Sequence, residues 1–127
     1  MRVLVIDDED YVRDLLRDIL ESEGCSVQIA ENGPQALALL ERQPFNAVFT
    51  DVGMPGMSGW EVARQLRQDP ATASVPIIAV SALSRPQERE SALHAGCDAY
   101  VAKPFTPDDL ARLMAATLES QGVVGAA

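Results

Sequence analysis

The chain has 127 residues, 47% of them apolar and 23% charged, the make-up of one ordinary globular domain. That length buries enough surface to need no disulfide or metal for its core, and no apolar run reaches the roughly 18–20 residues of a membrane span. Nineteen acidic against ten basic residues give a net charge of −9, which excludes the basic stripe of a nucleic-acid binder.

Val3-Leu4-Val5-Ile6 is a continuous apolar run, the pattern of a strand covered on both faces. It reaches Asp7 too early for a secretory signal. Val12, Leu15, Leu16, Ile19 and Leu20 then recur at helical spacing, and Gly24 closes that helix. Val27 and Ile29 mark a second strand. Gly33-Pro34 opens a second helix, with Pro at its first position, which runs through Leu37 and Leu40 to about Gln43. Ala47-Val48-Phe49-Thr50 is a third strand, closed by Asp51 and followed by a loop from Val52 to Met57.

Ser58 with Glu61 forms a capping box, so a third helix carrying Val62 and Leu66 follows. Trp60 sits at its start, half-buried and near the strand ends. Pro76 to Val80 is a fourth strand ending at Ser81. Ser84 and Gln87 cap a fourth helix, which has only Leu93 and several alanines to bury and is expected to be the least firmly packed. Its His94 reads as a surface residue. Gly96 ends it, Ala99 to Ala102 form a fifth strand, and Lys103-Pro104-Phe105 follows. Thr106 caps a last helix with Pro107 inside its first turn and Leu110, Leu113, Met114 and Leu118 as its stripe.

Five strands, each followed by a helix through short right-handed connections, make an α/β doubly wound parallel sheet. Ligands of such sheets bind outside the carboxyl ends of the strands. The residues there are Asp7-Asp8, Asp51, Ser81 and Lys103. Lys103 is the only lysine in the chain, the other nine bases being arginine. Taken singly, each has an ordinary reading: Asp8 or Asp10 as a helix cap, Asp51 as a turn former, Ser81 as a cap or buried hydroxyl, Lys103 as a solvated charge. Together on one rim they suit phosphate chemistry. A carboxylate can attack phosphorus, a hard divalent ion on oxygen ligands offsets the repulsion, and a compact ammonium contacts phosphoryl oxygens.

Asp7-Asp8, Asp51 with Met54-Pro55-Gly56-Met57-Ser58-Gly59, Ser81-Ala82 and Tyr100-Val101-Ala102-Lys103-Pro104-Phe105, in order and register, resemble a response-regulator receiver domain of the single-domain chemotaxis type. The resemblance implies a flavodoxin-like fold of strand order 2-1-3-4-5, a receiver domain over residues 1–120 and a flexible tail at 121–127. It implies a phosphorylation-activated switch: Asp51 as phosphoacceptor, Lys103 and Ser81 on the phosphoryl group, and Mg²⁺ or Mn²⁺ on Asp7, Asp8, Asp51 and the Gly53 carbonyl. It further implies a cis bond between Lys103 and Pro104. Ser81 and Tyr100 would couple the site to a face built from the fourth helix, fifth strand and fifth helix.

The implied partners are a sensor histidine kinase or histidine phosphotransfer protein and a downstream effector, in the cytoplasm, the chain being a monomer or a weak phosphorylation-dependent dimer. The phosphodonor histidine then belongs to a partner rather than being His94. Gly53 and Leu83 depart from common choices in the family at positions that govern water's access to the acyl phosphate. Two alternatives stand beside this reading. One is a receiver fragment of a larger regulator or hybrid kinase. The other is an aspartate-nucleophile phosphohydrolase of the haloacid dehalogenase type, whose second Asp two residues after the nucleophile is replaced here by Glu9 or Gly53. A self-phosphorylating and self-dephosphorylating acceptor, not a turnover enzyme, is expected. In the 2-1-3-4-5 order Cys25 and Cys97 lie near opposite sheet edges, roughly 19 Å apart, and stay unpaired.

Overall fold

A computed structural model describes residues 1–52, 56–81, 90–91, 94–103 and 105–120, with only the backbone of 117–120. The strands are β1 (Arg2–Ile6), β2 (Ser26–Ala30), β3 (Ala47–Asp51), β4 (Ile77–Ser81) and β5 (Ala99–Ala102). They form one parallel sheet in the order β2-β1-β3-β4-β5. The helices are α1 (Asp10–Ser22), α2 (Gly33–Arg42), α3 (Gly59–Gln68) and a last helix, Pro107–Ser120. Residues 90, 91, 94 and 95 are also helical, where the sequence predicts the fourth helix. The readings made at Gly53, Leu83, Ser84, Gln87, Leu93, the 103–104 peptide bond, the side chain of Leu118 and the tail lie outside the described residues. No described helix is long and apolar enough to cross a membrane.

The continuous apolar runs have the burial their pattern demands. Val3, Leu4, Val5 and Ile6 are all fully buried because alternate side chains enter different cores. Val3 and Val5 meet Val12, Leu16, Ile19 and Leu20 of α1 and Leu110 and Met114 of the last helix. Leu4 and Ile6 face the other way, toward Ala36 of α2, Val62, Ala63 and Leu66 of α3, and Ala95. Phe49 at the centre of β3 is among the largest fully buried side chains, and truncating such a residue costs about 3–5 kcal/mol.

The caps refine the sequence reading. Asn32 caps α2, its side chain accepting the Gln35 N–H at 2.9 Å, so Gly33 is the first helical residue and Pro34 the second. Ser58 caps α3 through the Glu61 N–H at 3.4 Å. Thr106 and Asp109 cap the last helix reciprocally: the Thr106 hydroxyl accepts the Asp109 N–H at 3.1 Å, and the Asp109 carboxylate accepts the Thr106 N–H at 2.9 Å. At α1 the cap position is Glu9, with no side-chain cap bond, so neither Asp8 nor Asp10 is used that way. Trp60 is half-buried against the α2–α3 core, and His94 is exposed.

Both cysteines are free thiols. Burial pushes the Cys97 thiol up to about 12, and burial also raises that of Cys25. Cys25 precedes one edge strand and Cys97 the other, as their separation in the predicted order requires.

Candidate functional site

Register builds the site. Ile6 pairs with Thr50 between β1 and β3, so the next residues, Asp7 and Asp51, lie side by side at the carboxyl rim. Asp51 pairs with Val80, which puts Ser81 one step further along β4. Ser81 pairs with Ala102, and its carbonyl accepts the Lys103 N–H at 2.7 Å, so the lysine leaves β5 at the same height. The order of strands thus brings together residues as much as 96 positions apart.

The side chains converge as well. The Lys103 ammonium donates to Asp7 Oδ2 at 3.2 Å and to Asp51 Oδ1 at 3.4 Å, with Glu9 Oε1 3.8 Å away. Carboxylate oxygens of Asp7, Asp8 and Asp51 lie within 4.8 Å of one another. Asp7 is fully buried, Asp51 and Ser81 are buried, and Asp8 is exposed, so the cluster opens to solvent on the Asp8 side. The Lys103 side chain is only 16% exposed, which removes the reading of a solvated surface charge. Asp51 closes a strand and does not form a turn.

The electrostatics are unbalanced. Two carboxylates within 4.8 Å of each other repel by at least roughly 3.5 kcal/mol at an effective dielectric constant of about 20, and among the described residues the Lys103 ammonium contacts two of the three, Asp7 and Asp51. Burial raises the Asp7 carboxyl above its ordinary value and Asp51 adds to this, against the Glu9 N–H and Lys103. Burial alone would lower the Lys103 ammonium, but Asp51 and Asp7 together outweigh it and raise it. Lys103 therefore stays charged. A set of three carboxylate oxygens with one open side fits a hard divalent cation that keeps several waters.

Tyr100 lies on β5 facing the α2–α3 core, opposite Ala79 in register. Its hydroxyl is buried without a hydrogen-bond partner among the described residues. Two participants at this rim escape the sequence reading. Glu9 lies near Lys103, and Arg13 donates through Nη1 to the Asp7 carbonyl oxygen at 2.8 Å. Arg13 is buried on α1 and shares its inward face with Leu16 and Leu20, so a charge at stripe spacing (13, 16, 20) was its available signal.

The strand order and the acidic rim facing one lysine define the receiver class of flavodoxin-like α/β domains. The chain belongs to the response regulator receiver domain family, whose model matches residues 3–115. It is a receiver domain of two-component signalling, a signalling family and not one of turnover enzymes, whose members work with histidine kinases and effectors.

It is 42% identical over 114 residues to an uncharacterized 14.6 kDa protein of Leptolyngbya boryana, covering 90% of this chain and 87% of that one. It is 41% identical over 118 residues to the response regulator MprA of Mycobacterium sp. (strain KMS), covering 93% of this chain and 50% of MprA. The chain thus spans about half the length of that regulator. Among solved structures, the chemotaxis protein CheY4 of Vibrio cholerae superposes with a TM-score of 0.88 at 27% identity, covering 92% of this chain and 98% of CheY4. The receiver domain of the sensor histidine kinase PA1611 of Pseudomonas aeruginosa, with magnesium coordinated in its active-site cleft, superposes with a TM-score of 0.86 at 30% identity, covering 93% and 97%.

Proposed function

We propose that this chain is a phosphorylation-activated switch in which Asp51 accepts a phosphoryl group from a phosphohistidine of a sensor kinase or phosphotransfer protein. The observation that carries the reading is the convergence of Asp7, Asp8 and Asp51 on one rim with Lys103 in contact with two of them. A carboxylate oxygen of Asp51 forms the new P–O bond as the donor's P–N bond breaks, the electron pair leaving on the imidazole nitrogen, which takes up a proton. Asp7, Asp8, Asp51 and the Gly53 carbonyl are the proposed ligands of Mg²⁺ or Mn²⁺. When bound, the ion supplies the positive charge that offsets repulsion between acceptor and donor. Magnesium in the cleft of the PA1611 receiver supports that assignment.

Lys103 is already held against Asp51, so it meets phosphoryl oxygens as a fixed point charge, and the Ser81 hydroxyl contacts a further one. Movement of Ser81 toward the phosphoryl group lets Tyr100 change rotamer, which carries the signal to the face of the fourth helix, β5 and the last helix. The Tyr100 hydroxyl has no hydrogen-bond partner among the described residues, so a change of its rotamer breaks no hydrogen bond to them, which supports this role. A downstream effector reads the face. The two free thiols fit a reducing compartment, the cytoplasm.

The test is labelling with acetyl phosphate. Wild type with Mg²⁺ should acquire an acid-stable, hydroxylamine-sensitive phosphoryl group, and Asp51→Asn should acquire none. Labelling of Asp51→Asn equal to wild type would move the acceptor elsewhere, and turnover of small phosphate esters would favour the phosphohydrolase alternative.

A further inference from the structure

Asp7 is held from four sides. Its N–H donates to the Ala30 carbonyl at 3.2 Å, and its carboxylate accepts the Glu9 N–H at 2.9 Å and the Lys103 ammonium at 3.2 Å. Its carbonyl oxygen accepts from Arg13 Nη1 at 2.8 Å. Three of these bonds come from backbone or from the rim itself. The fourth comes from a guanidinium carried by α1.

That guanidinium is costly where it stands. Arg13 is 6% exposed, and its Nε–H is buried with no partner among the described residues. A buried donor left unpaired is unfavourable, and the neighbouring stripe of Val12, Leu16 and Leu20 would accept Met or Leu at this position. Its Nη2 pairs with Asp10 and lies 3.9 Å from Glu31 Oε1, so one side chain joins the start of α1, the segment after β2 and the end of β1. The packing of α1 does not need a charge there. The Asp7–Asp8 peptide does, because its plane sets the direction in which Asp8 leaves the backbone. Asp8 is exposed, and among the described residues no hydrogen bond holds its side chain.

We propose that Arg13 is a positioning residue for the divalent-cation site: by fixing the Asp7–Asp8 peptide plane it aims the Asp8 carboxylate at the space it shares with Asp7 and Asp51. The inference rests on the reading that these three carboxylates hold the ion. Groups that orient metal ligands from outside typically change metal affinity by 10–100-fold when removed.

The experiment is a calorimetric MgCl₂ titration of the full chain, with circular dichroism confirming the fold. Arg13→Met keeps the apolar stem and removes the donor. It should bind Mg²⁺ about 10-fold more weakly than wild type. Arg13→Lys, which keeps one donor of similar reach, should recover part of the loss. Should Arg13→Met not fold, Arg13→Gln, whose amide is too short to reach the carbonyl, takes its place under the same criterion. A folded Met or Gln variant that binds Mg²⁺ as wild type does, having lost only thermal stability, overturns the inference. Wild type that binds no Mg²⁺ overturns the metal-site reading and the inference with it.

Discussion

Gly59 packs against the backbone of Asp51 so closely that a Cβ at position 59 would overlap the Asp51 carbonyl oxygen and lie 2.9 Å from Val52 Cα. The Gly59 N–H also reaches the Val52 carbonyl at 3.4 Å. The first turn of α3 is therefore seated directly on the end of β3, and the obstacle is backbone, which no side-chain rotation relieves. Gly59→Ala should cost about 1–3 kcal/mol, as overpacking does. Because the displaced atoms belong to Asp51 and its neighbour, acetyl-phosphate labelling should fall even under conditions where the variant is fully folded. Urea denaturation and labelling rates measured together check both halves.

Lys103→Met separates the two roles of the lysine. Among the described residues, and without a divalent ion, the Lys103 ammonium is the cation in contact with the carboxylates of fully buried Asp7 and of Asp51. Its removal should destabilise the chain by about 3 kcal/mol, the lower end for breaking a buried pair, because the cluster opens to water at Asp8. Added Mg²⁺ replaces the missing charge, so the rise in melting temperature on adding MgCl₂ should be larger for the variant than for wild type. Thermal melts in EDTA and in MgCl₂ measure it, and equal rises would show that Lys103 and the ion do not compete for the same carboxylates.

Much of this arrangement was legible in the sequence, and the parts that were not have physical causes. The apolar run Val3–Ile6 and the spacing Val12, Leu16, Ile19 are direct consequences of burial, so the pattern named the elements and their inward faces. Asp7, Asp51, Ser81 and Lys103 were found because parallel strands place their ends on one rim whatever the loops do. Arg13 was missed because a single arginine reads as solvated, and only the carbonyl it reaches, six residues earlier in the chain, shows why it is buried. The unpartnered hydroxyl of Tyr100 depends on how neighbours pack around one atom, and no spacing encodes that.

Tyr100→Phe removes that hydroxyl and nothing else. A buried hydroxyl without a partner contributes no hydrogen bond to the fold and carries a desolvation cost, so the phenylalanine variant should lie between unchanged and about 1 kcal/mol more stable. Urea midpoints of the unphosphorylated proteins test it. A clear loss of stability would mean that the hydroxyl is hydrogen-bonded in solution.

The last prediction concerns pH and the cap that sets where the last helix begins, three residues after Lys103. The Asp109 carboxylate is held below its ordinary value by the Thr106 N–H and hydroxyl, with Arg112 Nη2 adding at 3.0 Å. A carboxyl whose value is lower folded than unfolded stabilises the fold while it is ionised. That contribution is complete well above the unfolded value of about 3.9 and disappears as pH falls through the lower folded value. Other carboxylates titrate in the same range, so the comparison is made against Asp109→Asn, which keeps the shape and loses the charge. Wild type should exceed the variant in urea midpoint at about pH 7, and the difference should shrink steadily below about pH 4. A difference that stays constant with pH would assign the cap to the Thr106 hydroxyl alone.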